Sequence, residues 1–228
     1  MTRTEGPVSP PVVCTIATSD SGGGAGIQAD LKTIEAGGGF GTSVVVATSA
    51  QNTQGVHSIH TLPTAETEAQ LAAVTDDFDV GAAKTGMLAT AEVVRTVTDH
   101  AREFPFPLVV DPVMVAATGD RLLEPEGEDA YEDLVAAATL VTPNADEAAV
   151  LTDEAVETPA DAEAAGRELV EVGADAALVK GGHLDGESVD EDVVVDTLVR
   201  AEGRGGSGVA VDRFETPRID TEATHGSG

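Results

Sequence analysis

Short apolar runs alternate with helix-period segments along almost the whole chain, and this alternation restricts the fold more than any other feature. Strands are expected at 12–17, 43–48, 56–62, 80–84, 108–111, 139–142 and 175–180, and helices at 26–36, 64–76, 90–103, 126–137, 144–151 and 159–173. In the helix at 90–103, Val93, Val94 and Val97 form the inward stripe. Residues 191–220 read as hairpins joined by the Gly-rich loop 203–208. Strands separated by helices imply an α/β fold: a central, mainly parallel sheet flanked by helices on both faces. Ligands of such sheets bind beyond the C-terminal ends of the strands. The segment 56–62 alternates as an exposed strand does, and is readable as an edge used for pairing in a homodimer or as part of a side sheet.

The first strand runs into Thr18-Ser19-Asp20-Ser21-Gly22-Gly23-Gly24-Ala25-Gly26, followed by a helix whose Ile27, Leu31 and Ile34 share a face. Glycine between a strand and a helix lets backbone approach a ligand closely, and the helix start offers N–H groups to it. A mere surface turn seldom needs four glycines in five residues. The run is not a dinucleotide fingerprint, because Ile27 and Ala29 stand where glycine is required, and the chain contains no Gly-Lys pair, so there is no P-loop.

Forty-one acids face 12 Lys plus Arg, a formal net charge of −29. That sign excludes non-specific nucleic-acid binding. With 41% hydrophobic residues in periodic blocks the chain is folded rather than disordered, and so much negative charge suits a protein adapted to concentrated salt. No apolar run reaches the length of a membrane span, the polar tail 1–11 carries no signal core, and the lone Cys14 rules out a disulfide framework. Together these place the protein in the cytoplasm. The tail 1–11 is expected to be disordered and 12–228 to form one domain.

Among so many acids, the three lysines stand out: Lys32, Lys84 and Lys180 all lie in or beside glycine-containing turns. Lys180, before Gly181-Gly182-His183, is well placed for phosphate, although a lysine at either strand end also serves as a structural cation. Asp111 ends a strand and opens Asp111-Pro112-Val113-Met114. Asn144 in Thr142-Pro143-Asn144 has Glu147 three residues on, which is both a capping box and a set of oxygen ligands suited to magnesium held mainly by nucleotide phosphates. The terminal Thr224-His225-Gly226-Ser227-Gly228 offers successive amides as an anion nest.

These segments, with Ala50-Gln51-Asn52-Thr53 and Lys84-Thr85-Gly86-Met87-Leu88, occur in the order and spacing of one family. From about residue 12 to 228 the chain resembles the hydroxymethylpyrimidine/phosphomethylpyrimidine kinases of thiamine biosynthesis, of the ribokinase-like superfamily. The resemblance implies ATP-dependent phosphorylation of a hydroxymethylpyrimidine and of its monophosphate, with Mg2+. Gln51 then reads the pyrimidine, Asp20 and Gly24 border its hydroxymethyl end, and Met87 packs on the ring. Asp111 and Glu147 sit near magnesium, Asn144, Lys180 and Thr224 contact ATP, and Gly226, Ser227 and Gly228 form the anion hole. In the family the base directly follows that last glycine, usually Cys in these kinases and Asp in ribokinases, and further helices follow it. The sequence stops at Gly228, so the resemblance implies a domain incomplete at its C-terminus, its last helices missing, and weakly active or inactive. Pyridoxal kinase and a non-catalytic pyrimidine-binding module are the alternative readings.

Overall fold

The computed structural model describes residues 9–114, 125–182, 184, 192–202 and 208–219. The elements run β1 (Val12–Asp20), α1 (Gly26–Ala36), β2 (Phe40–Asn52), β3 (Gly55–Thr61), α2 (Thr64–Thr75), β4 (Val80–Thr85), α3 (Ala91–Ala101) and β5 (Leu108–Val110). They continue with α4 (Pro125–Ala136), β6 (Leu140–Val141), α5 (Ala145–Thr152), α6 (Pro159–Val172), β7 (Ala176–Val179), β8 (Val193–Ala201) and β9 (Val209–Pro217). All the strands join one sheet in the order β3-β2-β1-β4-β5-β6-β7-β8-β9. The six strands from β2 to β7 in that order are parallel to their neighbours, while β3 at one edge and the β8–β9 hairpin at the other are antiparallel. The expected parallel core is therefore present within a mixed sheet, and the hairpin region extends that sheet.

Crossing direction reverses at β1, whose two neighbours are β2 and β4. Right-handed connections then put α1 on the face opposite α3 and α4. In keeping with this, α1 packs on β1 and β2, while α2, α3, α4 and α6 pack successively against one another. The main core lies between those helices and the central strands, where Ile16, Val44, Leu71, Val94, Val110 and Leu134 are all fully enclosed. Expected Val93, Val94 and Val97 are buried on α3 as their spacing requires. β3 differs, because both of its faces are exposed and no helix among the described residues covers this edge, so Val56 and Ile59 each remain 39% accessible.

The reversal point between β1 and β4 is where a crevice opens at the C-terminal ends of the strands. Gly26 makes the entry to α1 possible there. Its φ is +58°, and a Cβ would lie 2.2 Å from the Thr18 carbonyl oxygen, so no other residue fits.

Candidate active site

The glycine loop is organised around a carboxylate. Asp20 ends β1 almost wholly buried, and its side chain accepts the amides of Gly22 at 2.7 Å, Gly24 at 3.0 Å and Ala25 at 2.9 Å. The amides that the sequence reading aims at a ligand are turned inward onto Asp20 instead, since a buried carboxylate must be satisfied. Asp20 thus shapes the loop, and Gly24 contributes its position there rather than its N–H. Gln28 adds a second brace, accepting the Asp20 amide at 2.8 Å and donating to the Ser19 hydroxyl at 2.7 Å. Lys32 donates to the Gly23 carbonyl at 2.7 Å.

Gln51, near the end of β2, is joined to this loop. The Ser21 hydroxyl donates to the Gln51 carbonyl at 2.7 Å and accepts the Gln51 amide at 2.8 Å. Its side-chain oxygen accepts from Ser49 at 3.1 Å, leaving the amide nitrogen without a protein partner among the described residues. Met87 follows β4, and its carbonyl accepts both the amide (3.0 Å) and the hydroxyl (2.9 Å) of Thr18. Asp20, Gly24, Gln51 and Met87 therefore meet at one end of β1, β2 and β4, with Gln51 and Met87 half-buried.

A second group lies further along the same rim. Asn144 and Lys180 sit side by side in a parallel bridge beyond β6 and β7, and the Lys180 amide donates to the Pro143 carbonyl at 2.8 Å. The Lys180 ammonium is 3.4 Å from Asp111 Oδ1, an oxygen that Thr142 also approaches at 3.5 Å. Asp111 Oδ2 is 3.5 Å from the Lys84 ammonium. The capping box is formed in full: Asn144 accepts the Glu147 amide at 2.8 Å and its own amide donates to Glu147 at 2.9 Å. Glu147 is buried, and burial pushes its carboxyl up to about 7. Asp111 adds to that rise, while the amides of Asn144 and Met114 and the Lys180 charge oppose it.

The carboxylates of Asp111 and Glu147, with the Thr142 hydroxyl, are a hard oxygen set. Among the described residues no cluster of three or more His, Cys, Asp or Glu could hold a metal ion unaided. Such a pair fits magnesium that keeps its waters and is carried mostly by phosphates, and does not fit a thiolate or imidazole metal. Thr224, Gly226, Ser227 and Gly228 lie outside the described residues. A cavity of about 580 Å³ lies at the opposite end of the strands, between Arg102, Phe106, Asp133 and Asp175, and touches none of the residues above.

Four participants escaped the sequence reading. Asp30 pairs with Lys84 at 3.1 Å; its signal was a carboxylate set among Ile27, Leu31 and Ile34 on the stripe of α1 that faces the sheet. Ser21 gave no signal, because a serine beside glycines is ordinary turn chemistry, and Ser49 gave none as one small polar residue within strand β2. Tyr131 of α4 is fully buried within electrostatic reach of Asp111 and Glu147, and burial drives its hydroxyl far above the usual phenol range.

Comparison with known proteins bears on the family and the fold. The family described as phosphomethylpyrimidine kinase matches residues 20–228. A hydroxymethylpyrimidine/phosphomethylpyrimidine kinase of Streptomyces coelicolor is 44% identical over 229 aligned residues, covering 100% of this chain and 80% of that protein. Among solved structures, the phosphomethylpyrimidine kinase of Clostridium difficile 630 superposes with a TM-score of 0.78 at 38% identity, covering 88% of this chain and 83% of that one. A pyridoxal kinase of Bacillus subtilis, solved as an ADP complex, gives 0.82 at 32% identity, covering 96% and 80%. With a family match over residues 20–228 and a relative 44% identical across the whole chain, the chain belongs to the phosphomethylpyrimidine kinase family.

Proposed function

We propose that the protein transfers the γ-phosphoryl group of ATP to the alcohol of 4-amino-5-hydroxymethyl-2-methylpyrimidine, and then a second one to the phosphate of that product, as steps in making thiamine diphosphate. The observation that carries this reading is the convergence on one rim of Gln51 and Met87 around the glycine loop with Asp111, Asn144 and Lys180 beyond it. Gln51 presents a donor and an acceptor side by side for a ring nitrogen and its neighbouring amino group. Met87 packs on the ring, and Asp20 and Gly24 border the hydroxymethyl end. Lys180 and Asn144 contact the phosphates, with Thr224 on the nucleotide and the amides of Gly226, Ser227 and Gly228 around the group in flight. Catalysis of this kind is mostly positioning and charge stabilisation.

Asp111 and Glu147 would hold magnesium, which would supply charge neutralisation on the phosphates. The free, buried Cys14 and an acidic surface suit a cytoplasmic protein of a salt-accumulating cell. Among the described residues no helix is long and apolar enough to cross a membrane. The uncovered β3 edge, with Val56 and Ile59 exposed, is the face best suited to pairing in a homodimer.

Pyridoxal is the second substrate reading, favoured by the likeness to the B. subtilis pyridoxal kinase. Competition binding separates the two. Gln51→Ala is expected to weaken the pyrimidine alcohol by about 10- to 100-fold, the loss typical of an unpaired polar edge, and pyridoxal by much less. Equal loss for both, or tighter binding of pyridoxal by the unaltered protein, reverses the assignment.

A further inference from the structure

All three lysines of this chain, set against 41 acids, belong to the rim just described. Lys32 holds the glycine loop and Lys180 stands beside Asn144. Lys84 has no part in the roles assigned above, yet it is the centre of the charge arrangement. Its ammonium lies 3.1 and 3.3 Å from the two oxygens of Asp30 and 3.5 Å from Asp111 Oδ2. Asp30 is itself fixed, since its Oδ2 accepts the Thr15 hydroxyl at 2.6 Å. Space is kept for the ammonium at Gly86, where a Cβ would stand 3.1 Å from Lys84 Nζ and from Ala17 Cβ. A chain of charges thus runs from α1 through β4 to the end of β5 and on to Lys180.

We propose that Lys84, locked by Asp30, is a positioning residue for phosphoryl transfer: it neutralises Asp111 from the β4 side, so that Lys180 is available to the nucleotide phosphates. Asp111 has one cation on each oxygen. Of these two, Lys84 is bound to a second carboxylate and cannot follow an incoming anion. Lys180 has Asp111 as its one ion pair among the described residues, and it stands on the phosphate side. Without Lys84, a phosphate competes for Lys180 against a part-buried Asp111 that has no other cation among the described residues, and such competition is strong where solvent screening is weak. Asp30 also couples α1, and with it the glycine loop, to the carboxylate at the end of β5.

The inference rests on the kinase reading, and calorimetric titration tests the two separately. ADP, with EDTA present, and the pyrimidine alcohol are titrated into the unaltered protein, Lys84→Met, Lys84→Arg and the double variant Asp30→Asn/Lys84→Met. Lys84→Met is expected to lose about tenfold in ADP affinity, as removal of a close charge partner does, with pyrimidine affinity kept within about twofold. Lys84→Arg recovers most of the loss. The double variant leaves no unpaired buried carboxylate, so its melting temperature returns towards that of the unaltered protein while the ADP deficit persists. Recovery of ADP affinity in the double variant, or parallel loss of both ligands in Lys84→Met, overturns the proposal and leaves a structural ion pair. An unaltered protein that binds neither ligand overturns the kinase reading, and the proposal with it.

Discussion

Glu147 combines two demands that pull in opposite directions. It closes the start of α5 by accepting the Asn144 amide, which a carboxylate does best, and it does so from a site only 3% exposed. Burial raises its folded pKa to about 7 from an ordinary value of 4.5. For an acid raised in this way, the stabilising contribution is complete below pH 4.5 and is lost as pH climbs through about 7. The shift corresponds to about 3 kcal/mol between those limits. Glu147→Gln keeps the capping geometry without the charge. It is therefore expected to melt above the unaltered protein at pH 8 and near or below it at pH 5, a crossing that thermal denaturation at the two pH values reads directly. The same variant weakens Mg2+-dependent nucleotide binding if Glu147 serves the ion. At this scale placement was legible at strand ends, as at Asp111, Asn144 and Lys180, which the fold brings to one rim. The inward turn of the loop amides onto Asp20 was not legible, because sequence shows that an N–H is exposed at a helix start but not which neighbouring carboxylate takes it. Nor was the Asp30–Lys84 pair, which exists only because β1 lies between β2 and β4.

Element by element, the starts of α3, α5 and α6 are fixed by side-chain caps, while α1 and α2 begin without one. α6 begins with Thr158 as N-cap, Pro159 in the first turn and Asp161 completing a reciprocal box, so its start coincides with the expected residue 159. Thr158 accepts the Asp161 amide at 3.2 Å, and the Asp161 carboxylate takes the Thr158 hydroxyl at 2.8 Å and amide at 2.9 Å. The Thr158 hydroxyl is the main reason the Asp161 carboxyl is held below its ordinary 3.8. A lowered carboxyl contributes above its ordinary value and stops contributing as pH falls through the folded one. Thr158→Ala should therefore cost about 1 kcal/mol at neutral pH, the usual worth of such a cap, measurable as a shift in the urea midpoint with unchanged slope. No shift would mean that α6 is held by its packing on β7 and β8 alone. Strand ends were less legible than helix ends. β2 runs from Phe40 to Asn52 against an expected 43–48, because its length is set by pairing with β1 and β3 rather than by its own apolar run. β6 shrinks to Leu140–Val141 for the same reason, having only short partners.

Across the whole molecule, the net charge of −29 is the dominant electrostatic fact. Ordinary surfaces dilute like charge with lysines, but here all three lysines are committed to the site rim. Arginine pairs such as Arg102–Asp133 at 2.6 Å and Arg213–Glu163 at 2.9 Å offset few of the 41 acids. Self-repulsion of the exposed carboxylates opposes the compact state at low ionic strength. Raising salt from about 0.1 M to about 1 M shortens the screening length from roughly 10 Å to roughly 3 Å, below the spacing of most surface charges. Melting temperature is expected to rise by roughly 10 °C across that range, equivalent to about 3 kcal/mol at this chain length. Sodium chloride and potassium chloride should act alike at matched ionic strength, because screening depends on charge and not on exclusion from apolar surface. A rise confined to sulfate or phosphate salts would trace the effect to strengthened burial instead. The rim should respond differently from the surface as a whole. Asp30, Lys84, Asp111 and Lys180 are each only 17–27% exposed, so added salt reaches their mutual attractions poorly. Salt therefore stabilises the fold by quieting the surface while leaving the charge arrangement at the nucleotide side nearly intact, and ADP affinity is expected to decline far less steeply with salt than a phosphate site on an open surface would.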